Sequence, residues 1–426
     1  MEKKRVLVCS VPCWNSKSGA DTFSALLADY GVDKIASLYI REDFPDSPAC
    51  QNYFRISENA VIKSVIKRNV KTGKQIITTI HREDDNASNA AITAERYKKH
   101  SRKRNYLLLY AREIMWKLGK WKTPELDNFI DEFKPEVVLF AMEGYIHFNR
   151  INRYILKRTG AKGIGYFWDD NFTYKQSKNV GHNIYRFFQR IDLKKTAKMC
   201  DDFFAITPKT KKEADEFFGI NCEILTKPID LEKYEFQEYD VSTPVKMLYT
   251  GNVGIGRFDT IKLIGKALDE INKDGVKVEL DVYTATYLSA QELDGTSPHV
   301  KMRSAIPQNE VAAVQSAADV LLFAEAIDGA NAKIARLSFS TKLTDYFRSG
   351  KCILAVGNTD TAPMEYLKEN EAALTASSYE EIIAALKFMV ANKQALSEYA
   401  KKSFDLGRKN HNKEDIQQKM MSAILS

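Results

Sequence analysis

The chain has 426 residues, 44% hydrophobic and 28% charged, with six cysteines and a formal net charge of +7. That length exceeds one ordinary core and calls for two domains of roughly 200 residues each. The composition is that of a soluble globular protein and excludes low-complexity architecture.

Arg5 to Cys9 reads as a strand, with no apolar core of signal-peptide length before it. A loop from Ser10 to Gly19 leads to a helix over Ala20 to Tyr30, and Lys34 to Ile40 forms the next strand. A polar, basic region then runs to about Lys122, with an amphipathic helix expected from about Arg96. From Val61 to Lys122 there are 16 Lys and Arg against 5 Asp and Glu. Such a block suits an anionic membrane surface or nucleic acid; the plainer alternative is a solvated helical face. Regular alternation resumes with helix Pro124 to Phe133, strand Glu136 to Ala141, helix His147 to Arg158 and strand Gly163 to Phe167. Helix Asn183 to Met199, strand Asp202 to Ile206 and helix Lys209 to Phe218 complete this half.

The segment Thr226 to Pro244 breaks the rhythm with prolines, acids and tyrosines, and reads as a linker. A second unit follows: strand Val245 to Tyr249, helix Phe258 to Lys273, strand Val276 to Tyr283, helix Gln308 to Ala317 and strand Asp319 to Ala324. Helix Thr341 to Ser349, strand Cys352 to Val356 and helices near Pro363 to Glu369 and Ser378 to Asn392 come next, and the tail from Lys393 is helical. Strand-helix alternation argues for parallel, doubly wound sheets. The expectation is therefore an α/β protein of two Rossmann-like domains, residues 1–235 and 236–426, facing a central cleft, with a helical C-terminal tail.

The cysteines lack the paired spacing of a zinc site, the histidines lack ligand spacing, and no metal site is expected. The most apolar helix-length stretch, Tyr106 to Trp116, is interrupted by Arg112 and Glu113, so no segment spans a bilayer. A reduced, cytoplasmic protein follows.

In an open α/β sheet, ligands sit beyond the carboxyl ends of the strands. Three features of the second unit fall there. "LYTGNVGIGR" sets Gly251, Gly254 and Gly256 between a strand and a helix, where glycine lets the backbone approach a ligand closely. The order differs from the dinucleotide fingerprint, and a plain tight turn is the alternative. Arg257 adds a cation where a diphosphate would lie. In "FSTKLTDYFRSGKCILAVG", Ser340 stands before a helix start whose Thr341, Lys342 and Leu343 amides point at an anion, Lys342 adds charge, and Asp345 can accept from two vicinal hydroxyls. Its alternative is an ordinary capped amphipathic helix.

Thr341-Lys342-Leu343-Thr344-Asp345-Tyr346-Phe347-Arg348-Ser349-Gly350-Lys351-Cys352-Ile353 resembles the Ser-Lys-Leu-x-Glu-Tyr-x-x-x-Gly-Lys-Pro-Ile signature of group 1 (family 4-like) glycosyltransferases of the GT-B fold. "CDDFFAITPKTKKEADEFFGINCEILTKPID" and "IPQNEVAAVQSAADVLLF" are also similar to segments of that family, so the resemblance spans about Glu136 to Val356. It implies that Lys342 and the neighbouring amides hold donor phosphate, that Asp345 holds the ribose, and that the glycine loop through Arg257 is the diphosphate turn. Many members carry a second glutamate eight residues before the ribose acid. Leu337 stands there, and Glu325 substitutes only if "AIDGANAKIAR" folds back. Members also often place a histidine after an N-terminal-domain strand; here "GIGYFW" ends in Asp169 and Asp170, whose carboxylates could orient or deprotonate an acceptor hydroxyl. The alternative for that pair is a polar loop or cap. After strand Glu136 to Ala141, "AMEGYIHF" sets His147 and Glu143 where they could line the cleft, with a structural role preferred for both.

The resulting expectation is a metal-independent, retaining glycosyltransferase with no cofactor. It moves sugar from a nucleotide-diphospho-sugar to a glycan or lipid-linked acceptor in cell-surface polysaccharide synthesis. It sits at the inner face of the membrane through the basic region 61–122 and does not bind nucleic acid. A non-catalytic scaffold of a glycan-assembly complex and a sugar-nucleotide epimerase of the same architecture are the rivals.

Overall fold

The computed structural model describes residues 2–15, 22–67, 69–78, 106–232, 234–307 and 309–426. Its contacts divide the chain into two compact units: residues 1–225 with 417–426, and residues 226–416. The break thus falls ten residues before the 235/236 boundary read from the sequence, and the last ten residues belong with unit 1.

Unit 1 holds β1 (Val6–Ser10), β2 (Ile35–Tyr39), β3 (Asn52–Ile56), β4 (Gly73–Ile77), β5 (Val137–Ala141), β6 (Lys162–Phe167), β7 (Asp202–Ala205) and β8 (Glu223–Ile224). They form one sheet in the order β4-β3-β2-β1-β5-β6-β7-β8. All neighbours are parallel except β4, which runs antiparallel to β3 at the edge. The continuous apolar runs VLVCS and VVLFA are buried along their whole length, as strands covered by helices on both faces must be. Local chemistry sets the helix ends. Thr123 caps helix Pro124–Phe133 by accepting from the Leu126 amide, and Pro124 sits in its first turn.

Unit 2 holds β9 (Val245–Thr250), β10 (Val278–Thr284), β11 (Val300–Ser304), β12 (Val320–Ala324), β13 (Cys352–Val356) and β14 (Leu374–Ala376). Their order is β11-β10-β9-β12-β13-β14, with every pair parallel. By chain rank this is 3-2-1-4-5-6, the doubly wound order. Successive crossovers leave β9 and β12 in opposite directions, which opens a crevice beyond their carboxyl ends. In unit 1 the same switch lies between β1 and β5.

The strands expected from apolar runs are present within a residue or two, whereas β3, β4, β8, β11 and β14 are additional. The expected linker is ordered structure on unit 2. The Tyr239 hydroxyl donates to the Asp319 carbonyl at 2.7 Å and accepts from the Cys352 amide at 3.1 Å. The tail is two helices, Lys393–Asn410 and Lys413–Leu425. The Gln417 amide donates to the Ala25 carbonyl at 3.0 Å, and Lys162 donates to the Ala423 carbonyl at 2.8 Å. Much of the basic region, residues 68 and 79–105, lies outside the described residues, as does the expected start of its helix; the described helix is Tyr106–Leu118. Among the described residues no helix is long and apolar enough to cross a membrane.

Candidate functional site

At the switch point of unit 2, the loop after β9 turns at Gly251 and enters helix Arg257–Ile271 through Gly256. Both glycines have positive φ, +124° and +76°. A Cβ on Gly251 would lie 2.6 Å from Lys342 Cε, and one on Gly256 would lie 2.8 Å from the Ala326 side chain. Gly251 is therefore fixed both by its backbone and by the lysine resting on it. Gly251→Ala should cost ~1–3 kcal/mol in local strain and displace Lys342; thermal unfolding and donor titration together read both effects.

Helix Lys342–Ser349 begins over this loop, anchored by the Tyr346 hydroxyl donating to the Leu322 carbonyl of β12 at 3.0 Å. Lys342 Nζ donates to the Tyr249 hydroxyl at 2.5 Å and lies 4.0 Å from the centre of that ring. Burial, and then repulsion from Arg257, push the Lys342 ammonium down to about 7, against the pull of Glu325. The lysine expected to be a full cation is thus poised between charge states near neutrality.

Arg257 is already paired. Its Nε and Nη2 donate to the two carboxylate oxygens of Glu325 at 3.0 and 2.9 Å. Burial opposes the charge on Arg257, but the Glu325 carboxylate more than offsets this and leaves the guanidinium more basic than usual. Glu325 follows β12 directly and is buried, with its carbonyl accepting from the Thr260 hydroxyl at 2.8 Å. Leu337, eight residues before Asp345, is wholly buried and apolar. The acid at this end of the sheet is Glu325, and it neutralises Arg257.

Of the helix-start amides, that of Leu343 donates to the Ser340 carbonyl at 3.1 Å, and the Leu343 side chain is core. This corrects the expectation that Leu343 meets a ligand. Thr341 caps the helix without a side-chain hydrogen bond. Asp345 is in the first turn, 3.5 Å from Arg348 Nη2. Burial pushes its carboxyl up, with Lys227 and Arg348 pulling it back. Lys227, two residues past the unit boundary, has no sequence signal that would have singled it out.

In unit 1, the loops after β5 and β6 are tied together. Gln189 donates to the Gly144 carbonyl, and Asn171 donates to the Met142 carbonyl at 3.3 Å. This brings Glu143 beside Asp169. Burial, and then the Asp169 charge, push the Glu143 carboxyl up to about 7, against Arg41, the Trp168 indole and the Gly144 amide. Asp170 behaves differently. It is 0% exposed, and its two carboxylate oxygens accept from the Thr173 amide at 3.0 Å and the Thr173 hydroxyl at 2.5 Å. Asp170 therefore holds its own turn, as the plainer reading has it. Asp170→Ala should cost ~0.5–2 kcal/mol, the worth of a lost cap, seen as a lower unfolding midpoint. His147 is structural: its ring Nδ1 and backbone amide both meet Glu113 at 2.9 Å, and it stacks on Trp116. Among the described residues no group of three or more His, Cys, Asp or Glu is placed to hold a metal ion.

No known family profile matches the chain, and no curated protein matches it in sequence. Solved structures do match. HepE of Anabaena, in complex with UDP and glucose, is 9% identical, with 99% of this chain and 100% of that one covered and a TM-score of 0.62. TarM is 8% identical over 100% and 99% of the two chains, with a TM-score of 0.62. An E. coli trehalose-6-phosphate synthase bound with UDP-2-fluoro glucose is 12% identical over 99% and 98%, with a TM-score of 0.60. Two doubly wound α/β units, a helical C-terminus and this end-to-end likeness show that the chain has the GT-B glycosyltransferase fold.

Proposed function

We propose that the protein is a glycosyltransferase that takes a sugar from a nucleotide-diphospho-sugar bound by unit 2 and transfers it to a glycan or lipid-linked acceptor bound by unit 1, in the synthesis of a cell-surface polysaccharide. The carrying observation is the convergence of Gly251, Lys342 and the first turn of helix Lys342–Ser349 at the switch point of unit 2. Neighbours of the same fold hold UDP, UDP-glucose or a fluorinated analogue.

In this reading the Thr341 and Lys342 amides and the Lys342 ammonium meet phosphate oxygens, while Asp345 accepts from the ribose hydroxyls. As the sugar–phosphate bond lengthens, negative charge grows on the departing diphosphate, and Lys342 with the helix N-terminus stabilises it. Arg257, neutralised by Glu325, shapes the loop more than it supplies charge. Asp169 with Glu143 serves the acceptor hydroxyl. The transfer retains anomeric configuration and uses neither metal nor cofactor. The basic region 61–122 draws the enzyme to anionic lipid at the inner face of the membrane.

Thermal unfolding with UDP-, GDP- and ADP-sugars tests the reading. The correct donor at about 100 times its dissociation constant should add about 2.7 kcal/mol of stability, and the purified protein should slowly hydrolyse it. Stabilisation by none of the panel would sink the transferase. Stabilisation without hydrolysis or transfer would favour a scaffold.

A further inference from the structure

Helix Val180–Ala197 of unit 1 has one face left exposed among the described residues. Val180, Ile184, Phe187, Phe188 and Ile191 recur at helical spacing, and all are exposed: Val180 by 72%, Phe187 by 52%, Phe188 by 49%. The opposite face, with Tyr185, Gln189 and Leu193, is buried. A soluble surface seldom leaves such a contiguous stripe of large apolar side chains uncovered. Charge brackets the stripe: exposed Lys178 stands before it, and exposed Lys194, Lys195 and Lys198 lie in its last turn and just beyond. The helix's one acid, Asp192, is buried and bound to Arg153 at 2.6 Å, so the exposed face carries no negative charge. Helix Tyr106–Leu118 packs alongside through Tyr110 and Tyr185, whose ring centres are 5.4 Å apart, and adds exposed Leu107, Ile114 and Leu118.

We propose that this face of helix Val180–Ala197 docks on an anionic lipid surface, its phenyl and aliphatic groups entering the interface while the lysines meet headgroup phosphates. An apolar stripe with cations at both ends is the pattern of a helix lying in the interfacial plane. A second copy of the chain fits less well. Either orientation of two such helices would oppose lysines to lysines or leave them unpaired, whereas an anionic surface neutralises both ends. This docking does not rest on the transferase reading, because the assay contains no sugar nucleotide.

Co-sedimentation of the full chain with phosphatidylcholine vesicles, with and without phosphatidylglycerol, tests it. The wild-type protein should bind the anionic vesicles and lose binding as salt is raised. Phe187→Ser/Phe188→Ser, at exposed positions, should keep the wild-type unfolding midpoint and lose partitioning by about 10-fold or more. Lys194→Glu/Lys195→Glu should lose on the order of 30-fold, and on anionic vesicles only. Equal binding of both double variants and the wild type would overturn the proposal. So would a wild-type dimer that the phenylalanine variant converts to monomer without change in vesicle binding.

Discussion

Lys342→Ala is expected to weaken a nucleotide-sugar by ~10- to 150-fold, the loss of one charge-assisted contact, and to leave the bare nucleoside almost unaffected. Isothermal titration with nucleoside, nucleoside diphosphate and donor measures this. The suppressed basicity of Lys342 adds a second signature. In the free protein its pKa is about 7, so at neutral pH part of the population lacks the charge that phosphate requires. An arriving diphosphate favours the ammonium and raises that pKa, so binding takes up a proton between pH 7 and the higher bound value. The sign follows: affinity is greatest below pH 7 and falls, by up to about tenfold per pH unit, as pH rises above it. A nucleotide-sugar diphosphate has no ionisation of its own in this range, so the slope belongs to the protein. The slope should vanish in Lys342→Ala. Equal weakening of nucleoside and diphosphate, or a wild-type affinity flat from pH 6 to 9, would remove Lys342 from the phosphate site.

The basicity of that lysine was not legible in the sequence, although its position was. Lys342 stands out because a lysine, free amides and an acid share one helical turn after a strand. Its suppressed charge comes from burial against Tyr249 and then from Arg257, against the pull of Glu325, all brought to it by the adjacency of β9 and β12. Strand order is what one-dimensional reading lacks. The pairing of Arg257 with Glu325 spans 68 positions and exists because the ranks 1 and 4 lie side by side. Given the doubly wound order, an acid directly after the apolar run of β12 could have been placed there.

Fully apolar strands such as β5, β12 and β13 were legible, since burial on both faces selects a continuous hydrophobic run. The edge strands β4 and β11, GKQII and VKMRS, each carry two adjacent exposed polar residues and only one buried apolar one, and were not. Thr226 to Pro244 read as a linker because its prolines and acids suit a loop. Yet Phe236 and Tyr239 are partly buried against the core of unit 2, and aromatic spacing in a loop does not reveal what it packs on.

Replacing Asp169 by Asn, or Glu143 by Gln, is expected to lower turnover by ~100-fold or more while sparing donor affinity, the scale of general-base assistance. The two carboxyls sit on loops after adjacent strands, β5 and β6, and neither can ionise without feeling the other. With the Asp169 charge beside it, the buried Glu143 carboxyl holds its proton up to about 7. A base must be deprotonated, so turnover should rise with pH through about 7. In Glu143→Gln the rising limb through 7 should disappear, because the group that titrates there is gone. Stability supplies an independent check with the opposite sign. The folded state holds the Glu143 proton up to about 7, against 4.5 for an ordinary glutamate, so its contribution is fully present below 4.5 and is lost as pH rises through 7. Glu143→Gln, which mimics the protonated form, should flatten that loss between pH 5 and 8. Asp170→Asn separates chemistry from architecture: it lowers the unfolding midpoint and leaves the pH–rate profile where it was. A rising limb below pH 5 in the wild type, or full turnover in both Asp169→Asn and Glu143→Gln, would return these two carboxyls to the loops that carry them.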